Sequence, residues 1–444
     1  MPEVQKLAPP CKYSNPLFKL LFTFGSLAHS ADCVECDTRV ALVPGVTHPE
    51  GSFRTVFGVN AAYPRQHSDR AAIYENAADL TTILGKIPEV TRTYGIWEST
   101  YGLINEVGLT LGESSCASKI SCGGADMPDP STGVKGPAIM CIGSLMQIAL
   151  ERCDSAVCAI KTMGAVAEKY GFFGEGFDEG EALTVADAHG DSWVFHITQD
   201  FSTNASAIWV AQQVPDGHIA VVANNYIIKD VPLEPTDMFL FSTNMRSEAL
   251  AAGLWKGQEP FSWQDIYGKM ELPMYGSIRM HWIYSETAPS LEVPLYDSPF
   301  QFPFSVKVDK KLSLEEFIEL YRGNYKGMSY DMTKGVLAGP FGNPIRVEGG
   351  IALKQTHGEF ARGISIARTA YTHIGYPLQE NPAAFFASDT PATSVAVPLL
   401  ASTLAEARGR PLDETLDMYS GFYQIGHKGV FSRSSAWWAF DIGK

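Results

Sequence analysis

Between residues 142 and 226 the hydrophobic period of this chain changes from that of a helix to that of a strand, and that change limits its fold more than any other feature. "IGSLMQIALERC", from Ile142, reads as a helix. In the next segment Asp154 is the predicted N-cap. Ala156, Ile160, Met163, Ala167 and Tyr170 then recur at three- and four-residue spacing, and Gly171 ends the run. The period then shortens to two. "EALTVAD", "DSWVFHIT", "AIWVAQQV" and "HIAVVANNY" are short and rich in Val, Ile, Trp and Phe, with "AHG" and "PDG" as turn signals. This predicts antiparallel hairpins. A later helix is expected at "SLEEFIELYRG", with a capping box from Ser313 and Glu316 and a stop at Gly323. Helices and antiparallel strands in separate blocks predict an α+β fold. Short links favour one large domain.

Composition excludes some functions. The 444 residues suffice for a large core, and 34 basic against 49 acidic side chains leave a net charge of −15. That charge repels polyphosphate, so nucleic acid is not an expected partner. No apolar run approaches the ~20 residues of a membrane helix, so no membrane partner is expected either. Eight cysteines are too few for a disulfide scaffold. One glycosylation triplet, "NAS", begins at Asn204. Lys6 and Lys12 precede "PLFKLLFTFGSLAHSA", a signal-like pattern that Lys19 interrupts. Cytoplasmic and secretory or lysosomal locations both stay open.

Common catalytic signatures are missing: there is no G-x-S-x-G, H-E-x-x-H, phosphate loop or EF-hand. "AHSADCVECD", Ala28–Asp37, concentrates a His, acids and Cys33-x-x-Cys36. A structural zinc site needs four ligands, and a second Cys-x-x-Cys is missing. "GEGFDEGE", from Gly174, does not fit the twelve-residue calcium loop and reads as a solvated turn.

A set of blocks in order resembles the N-terminal-nucleophile (Ntn) cysteine dipeptidases, the dipeptidase A and secernin-like group of cysteine peptidase family sixty-nine. They are "YGLINEVGLTLGESSC", "IALERCDSAVCAIKTMGAVAEKYGFFG", "ALTVADAHGDSWVFHI", "WVAQQVPDGHIAVVAN", "DMTKGVLAGPFGNPIR", "ISIARTAYTHI" and "SRSSAWWAF". The resemblance runs from about His29 to the C-terminus. It implies a four-layer αββα sandwich of two antiparallel sheets over residues 28–444, with no cofactor and no metal. The implied activity is cleavage of short peptides. The implied partners are the peptide substrate and, as an open alternative, a second copy of the chain. A non-enzymatic secernin-like interaction protein and an amidase for another linear amide are the competing readings.

In this family an N-terminal Cys attacks the scissile carbonyl, its own α-amine carrying the proton. By resemblance, His29 lies beside the thiol and Asp32 holds the α-amino group. Asn224 matches the oxyanion-hole Asn, with Asn225 as a rival. Asn105 is a second candidate donor, or the shaper of a tight hairpin turn. Arg368 matches a buried Arg near the nucleophile. The thiol itself departs from the pattern. Cys11 has the right spacing before His29, yet Pro16 falls where a strand should run. Three explanations compete: residues 1–27 are foreign to the fold, as from a misjudged gene start; Cys11 begins a diverged first hairpin; or cleavage exposes Cys36.

Overall fold

The hairpins predicted from "EALTVAD" to "AIWVAQQV" form the centre of the molecule. The computed structural model describes residues 25–32, 40–58, 69–70, 81–120, 123–129, 132–175, 179–270, 273–335, 338–345, 362–377, 380–409 and 433. Cys11, Cys33, Cys36 and all of "SRSSAWWAF" except Arg433 lie outside the described residues.

The strands are β1 (Leu27–Ala31), β2 (Ala41–Val43), β3 (Phe53–Phe57), β4 (Ile83–Pro88), β5 (Ile96–Glu98), β6 (Gly102–Asn105), β7 (Thr110–Ala117), β8 (Glu179–Ala186), β9 (Ser192–Gln199), β10 (Ala207–Gln213), β11 (His218–Ile219), β12 (Phe239–Phe241), β13 (Val306–Lys307), β14 (Tyr371–Tyr376), β15 (Ala383–Ser388) and β16 (Val397–Leu400). The helices are α1 (Ile142–Arg152), α2 (Ala156–Tyr170), α3 (Met245–Ala251), α4 (Trp263–Tyr267), α5 (Pro273–Thr287), α6 (Leu314–Tyr321) and α7 (Ala401–Ala407). An eight-stranded sheet has the order β12-β10-β9-β8-β7-β6-β5-β2, and a four-stranded sheet the order β1-β14-β15-β16. Their pairings are antiparallel throughout. The fold is α+β.

Period-two sequence lets the large sheet bury both faces. Trp193, Phe195 and Ile197 of β9 join Trp209 of β10 in one core with α1 and α2. Val194, Ile208 and Val210 face the other way, into a core with Trp263, Tyr267 and Tyr284. The small sheet adds a third core, in which Tyr371, Ala384 and Phe386 meet Trp97, Leu103 and Ile104 of the large sheet. At Gly375 the sheets come so close that an added Cβ would overlap the Thr110 side chain.

The local signals were obeyed with two exceptions. Ser313 and Glu316 form their capping box, and Gly171, at φ 74°, ends α2. Asp154, however, is not the N-cap of α2. Ser155 holds that position without a side-chain bond, and Asp187, from the turn after β8, accepts the Ala156 N–H at 2.8 Å. The orphan donor of the first turn is satisfied from another element. The second exception is "HIAVVANNY", which pairs with β13 only at His218–Ile219. Ala220, Val221 and Val222 instead pack against the second face of the large sheet. β12 takes the edge position beside β10. A disulfide joins Cys153 and Cys158 across the α1–α2 turn, a pairing the sequence did not suggest.

Candidate active site

The segment that leaves the sheet after Ile219 crosses a cavity of about 940 Å³, which β1, β7, β8, α5 and residues 362–368 also line. Four of the candidate residues border it: His29, Asp32, Asn224 and Arg368. Asn105 is not among them. It is fully buried at the β6–β7 turn, where its Nδ2 donates to Leu150 O and Cys153 O at 2.9 and 2.8 Å. Its Oδ1 accepts from the N–H groups of Val107 and Leu109. All its hydrogen-bonding capacity is committed, so neither amide hydrogen is left for an oxyanion. Cys11 lies outside the described residues, and the described cysteines, Cys116, Cys141, Cys153 and Cys158, do not line the cavity. Burial beside Glu175 pushes the Cys141 thiol well up, which makes it inert.

β1 places its residues by pairing with β14, His29 opposite His373. His29 is 4% exposed, and neither ring nitrogen has a hydrogen-bond partner among the described residues. Its Nε2 lies 3.5 Å from Glu113 Oε2 on β7. Burial, and then the charge of His29, hold His373 well below the usual imidazole range. Asp32 follows the last residue of β1. Thr369 Oγ1 donates to its Oδ1 at 2.7 Å, and Arg362 Nη2 donates to Oδ2.

Asn224 occupies a left-handed conformation, φ 59°, which Asn tolerates better than most residues. Its Nδ2 donates to Ser115 O at 2.8 Å and its Oδ1 accepts from Arg279 Nη2 at 3.0 Å, so both ends of the amide are held. One Nδ2 hydrogen remains to point elsewhere. Its rival, Asn225, turns away from the cavity, is buried and donates to Tyr226 O.

Two tyrosines organise the charges of the cavity. Burial raises Tyr101 far above the usual phenol range, with Glu113, Glu175 and Glu181 adding to the effect. Ser115 Oγ donates to Glu113 at 2.9 Å and reaches Glu181 at 3.5 Å. At Tyr275 the charges are positive: the Arg362 and Arg279 guanidiniums lie 4.3 and 4.6 Å from the ring centre. Arg368 Nη2 donates to the Tyr275 hydroxyl at 3.3 Å.

Glu113, Glu181, Tyr275, Arg279 and Arg362 were not singled out from sequence. Glu113 stands inside the quoted "LGESS", so block membership could have found it. Glu181 was read as part of a solvated turn, but β8 carries it inward, to 1% exposure. The two arginines carry no local signal. Only the packing of α5 against residues 362–369 brings them to one ring.

Residues 60–408 match Peptidase family C69. The matched span includes Asn105, Asn224 and Arg368 and begins after His29 and Asp32. A probable dipeptidase of Latilactobacillus sakei is 25% identical over 232 residues, which are 52% of this chain and 43% of that relative. The matched segment therefore spans less than half of the relative's length. A family match over most of the chain, together with the ordered antiparallel fold behind the cavity, places this protein in peptidase family C69.

Proposed function

We propose that the protein is an Ntn-type cysteine dipeptidase with an αββα fold, residues 28–444 forming one catalytic domain. One observation carries this reading: a single cavity brings together His29, Asp32, Asn224 and Arg368, which come from three separate segments of the chain. The two stacked sheets, with α1 and α2 on the outer face of the larger, support the sandwich.

The roles follow from chemistry. The α-amine of the N-terminal Cys, held by the Asp32 carboxylate, takes the thiol proton as the sulfur bonds to the peptide carbonyl carbon. The C–N bond then breaks as that proton passes to the leaving amine, and water hydrolyses the thioester to free the acid and restore the thiol. Thr369 and Arg362 orient that carboxylate through hydrogen bonds to its two oxygens. Asn224 Nδ2 donates to the developing oxyanion. Arg279 fixes which end of the amide faces it. Arg368 adds positive charge nearby.

Of the cysteines in this chain we take Cys11 as the thiol, exposed by removal of the ten residues before it. The competing reading is that residues 1–27 are foreign to the fold, as from a misjudged gene start, and that this chain lacks its nucleophile. Mass spectrometry of the mature N-terminus and a dipeptide panel assayed with Cys11→Ala as control test this. A new N-terminus at Cys11, with turnover abolished in the variant, is expected. Turnover that survives Cys11→Ala removes Cys11 and turns attention to Cys36. No processing and no turnover in either protein refutes the enzyme reading for this chain.

A further inference from the structure

The cavity carries opposite charges at its two ends, and Asn224 joins them. At one end Glu113 and Glu181 share Ser115 Oγ. Burial puts Glu181 in surroundings of lower dielectric than water, where an opposing cation is worth most. His29, nine-tenths buried and without a hydrogen-bond partner among the described residues, stands at the same end. At the other end three guanidiniums converge on Tyr275. Like charges this close repel, and Asp32 opposes one of them. The Arg368 Nε, itself shielded from solvent, has no hydrogen-bond partner among the described residues. Ser115 O accepts from one end of the Asn224 amide and Arg279 donates to the other. The charged ends are therefore neighbours linked through one side chain.

The ligand must match both signs. The glutamates repel a polyanion, and the arginines repel a polycation. A metal ion is a poor match, because among the described residues no three His, Cys, Asp or Glu side chains are grouped to hold one. Planar guanidiniums suit a carboxylate, which they bind through paired N–H donors. Carboxylates with a serine hydroxyl suit an ammonium. An extended dipeptide spans about 7 Å, so its two charged termini lie one side chain apart.

We propose that the cavity recognises both free termini of a short peptide, the α-ammonium at Glu113 and Glu181 and the α-carboxylate at Arg279 and Arg368. This deepens the peptidase reading, on which it rests for the site but not for turnover. Its consequence is selection of very short chains: a longer peptide carries a neutral amide where one of its charged ends should sit.

Binding rather than turnover tests it. A hydroxyethylene isostere of alanyl-alanine, its C-terminal amide and its N-acetyl form are titrated calorimetrically into the full chain at neutral pH. Each cap should weaken binding by about 30-fold or more, the loss expected when one partner of a desolvated charge pair is removed. Arg368→Gln should erase the penalty for the C-terminal amide and keep that for N-acetylation. Glu181→Gln should do the reverse. If either variant fails to fold, the capped ligands on the unaltered chain decide alone. Equal binding of capped and uncapped forms, or no binding of the uncapped isostere, overturns the proposal. Charge-dependent binding without hydrolysis of dipeptides refutes the enzyme reading and leaves this one standing.

Discussion

Two buried arginine–carboxylate pairs, Arg54–Glu151 and Arg362–Asp32, use the same chemistry in different surroundings. Arg54 of β3 donates through Nε to Glu151 of α1 at 2.7 Å, through Nη1 to Thr55 O and through Nη2 to Gln147. Arg70 adds a second cation, 2.8 Å from Glu151 Oε1. The cluster is closed to solvent, with Arg54 and Glu151 each 1% exposed. Arg362 and Asp32 instead border the cavity, beside an arginine whose Nε has no hydrogen-bond partner among the described residues. The first pair joins the β3–β4 hairpin to α1. The second holds a carboxylate where a ligand can reach it. Saturated charge clusters hold a fold together, and those with spare capacity are the ones that can act.

The sharpest way to break the comparison is Arg54→Met. It should destabilise the protein by about 3–5 kcal/mol, because Glu151 is left buried with too little opposing charge. Urea unfolding checks this, and a loss below 1 kcal/mol would remove the distinction. The same cluster fixes an acid response. Despite burial, Arg54 and Arg70 lower the Glu151 carboxyl from 4.5 to about 2. Its contribution to stability is therefore complete above pH 4.5 and is lost as pH falls through 2. Unfolding followed between pH 6 and 2 should show that loss in the unaltered protein and not in Glu151→Gln.

Asn224→Gly probes the cavity side. Glycine accepts φ 59° without strain, so the fold should persist while the proposed oxyanion donor goes. The turnover number should fall by about 10²–10³-fold with a smaller change in KM. An unchanged turnover number would refute the role of Asn224.

Asn105→Ala sharpens the comparison from the other direction. Asn105 sits in a family block but is saturated. Its loss leaves the Leu150 and Cys153 carbonyls and two turn N–H groups without their partner. Stability should fall by about 1–3 kcal/mol. The turnover number of the folded fraction should stay within about twofold.

Much of the fold was legible in local pattern. α1, α2, β8, β9, β10 and the capping box of α6 follow from spacing and turn chemistry that act over a few residues. "HIAVVANNY" misled because its apolar alternation suits a sheet edge and a sheet face equally well. Which one it meets depends on β12, which lies in a different part of the chain. The Asp154 cap failed for a similar reason: Asp187 is 33 residues away in sequence and closer in space.

The candidate site divides along the same line. Residue type and block order marked Asp32, Asn224 and Arg368, because an amide donor, an acid and a cation are what acyl transfer from a peptide requires. Sequence alone also determined the α+β class, since hydrophobic period is a property of neighbouring residues. It could not separate Asn224 from Asn225, or a saturated Asn105 from an available one. One residue of register reverses a side chain's direction, and hydrogen-bond saturation depends on partners tens of residues away. The opposed charges at the two ends of the cavity were decided only in three dimensions. Glu113, Glu181, Arg279 and Arg362 lie on four separate segments, and only the packing of β7, β8, α5 and the approach to β14 brings them to one place.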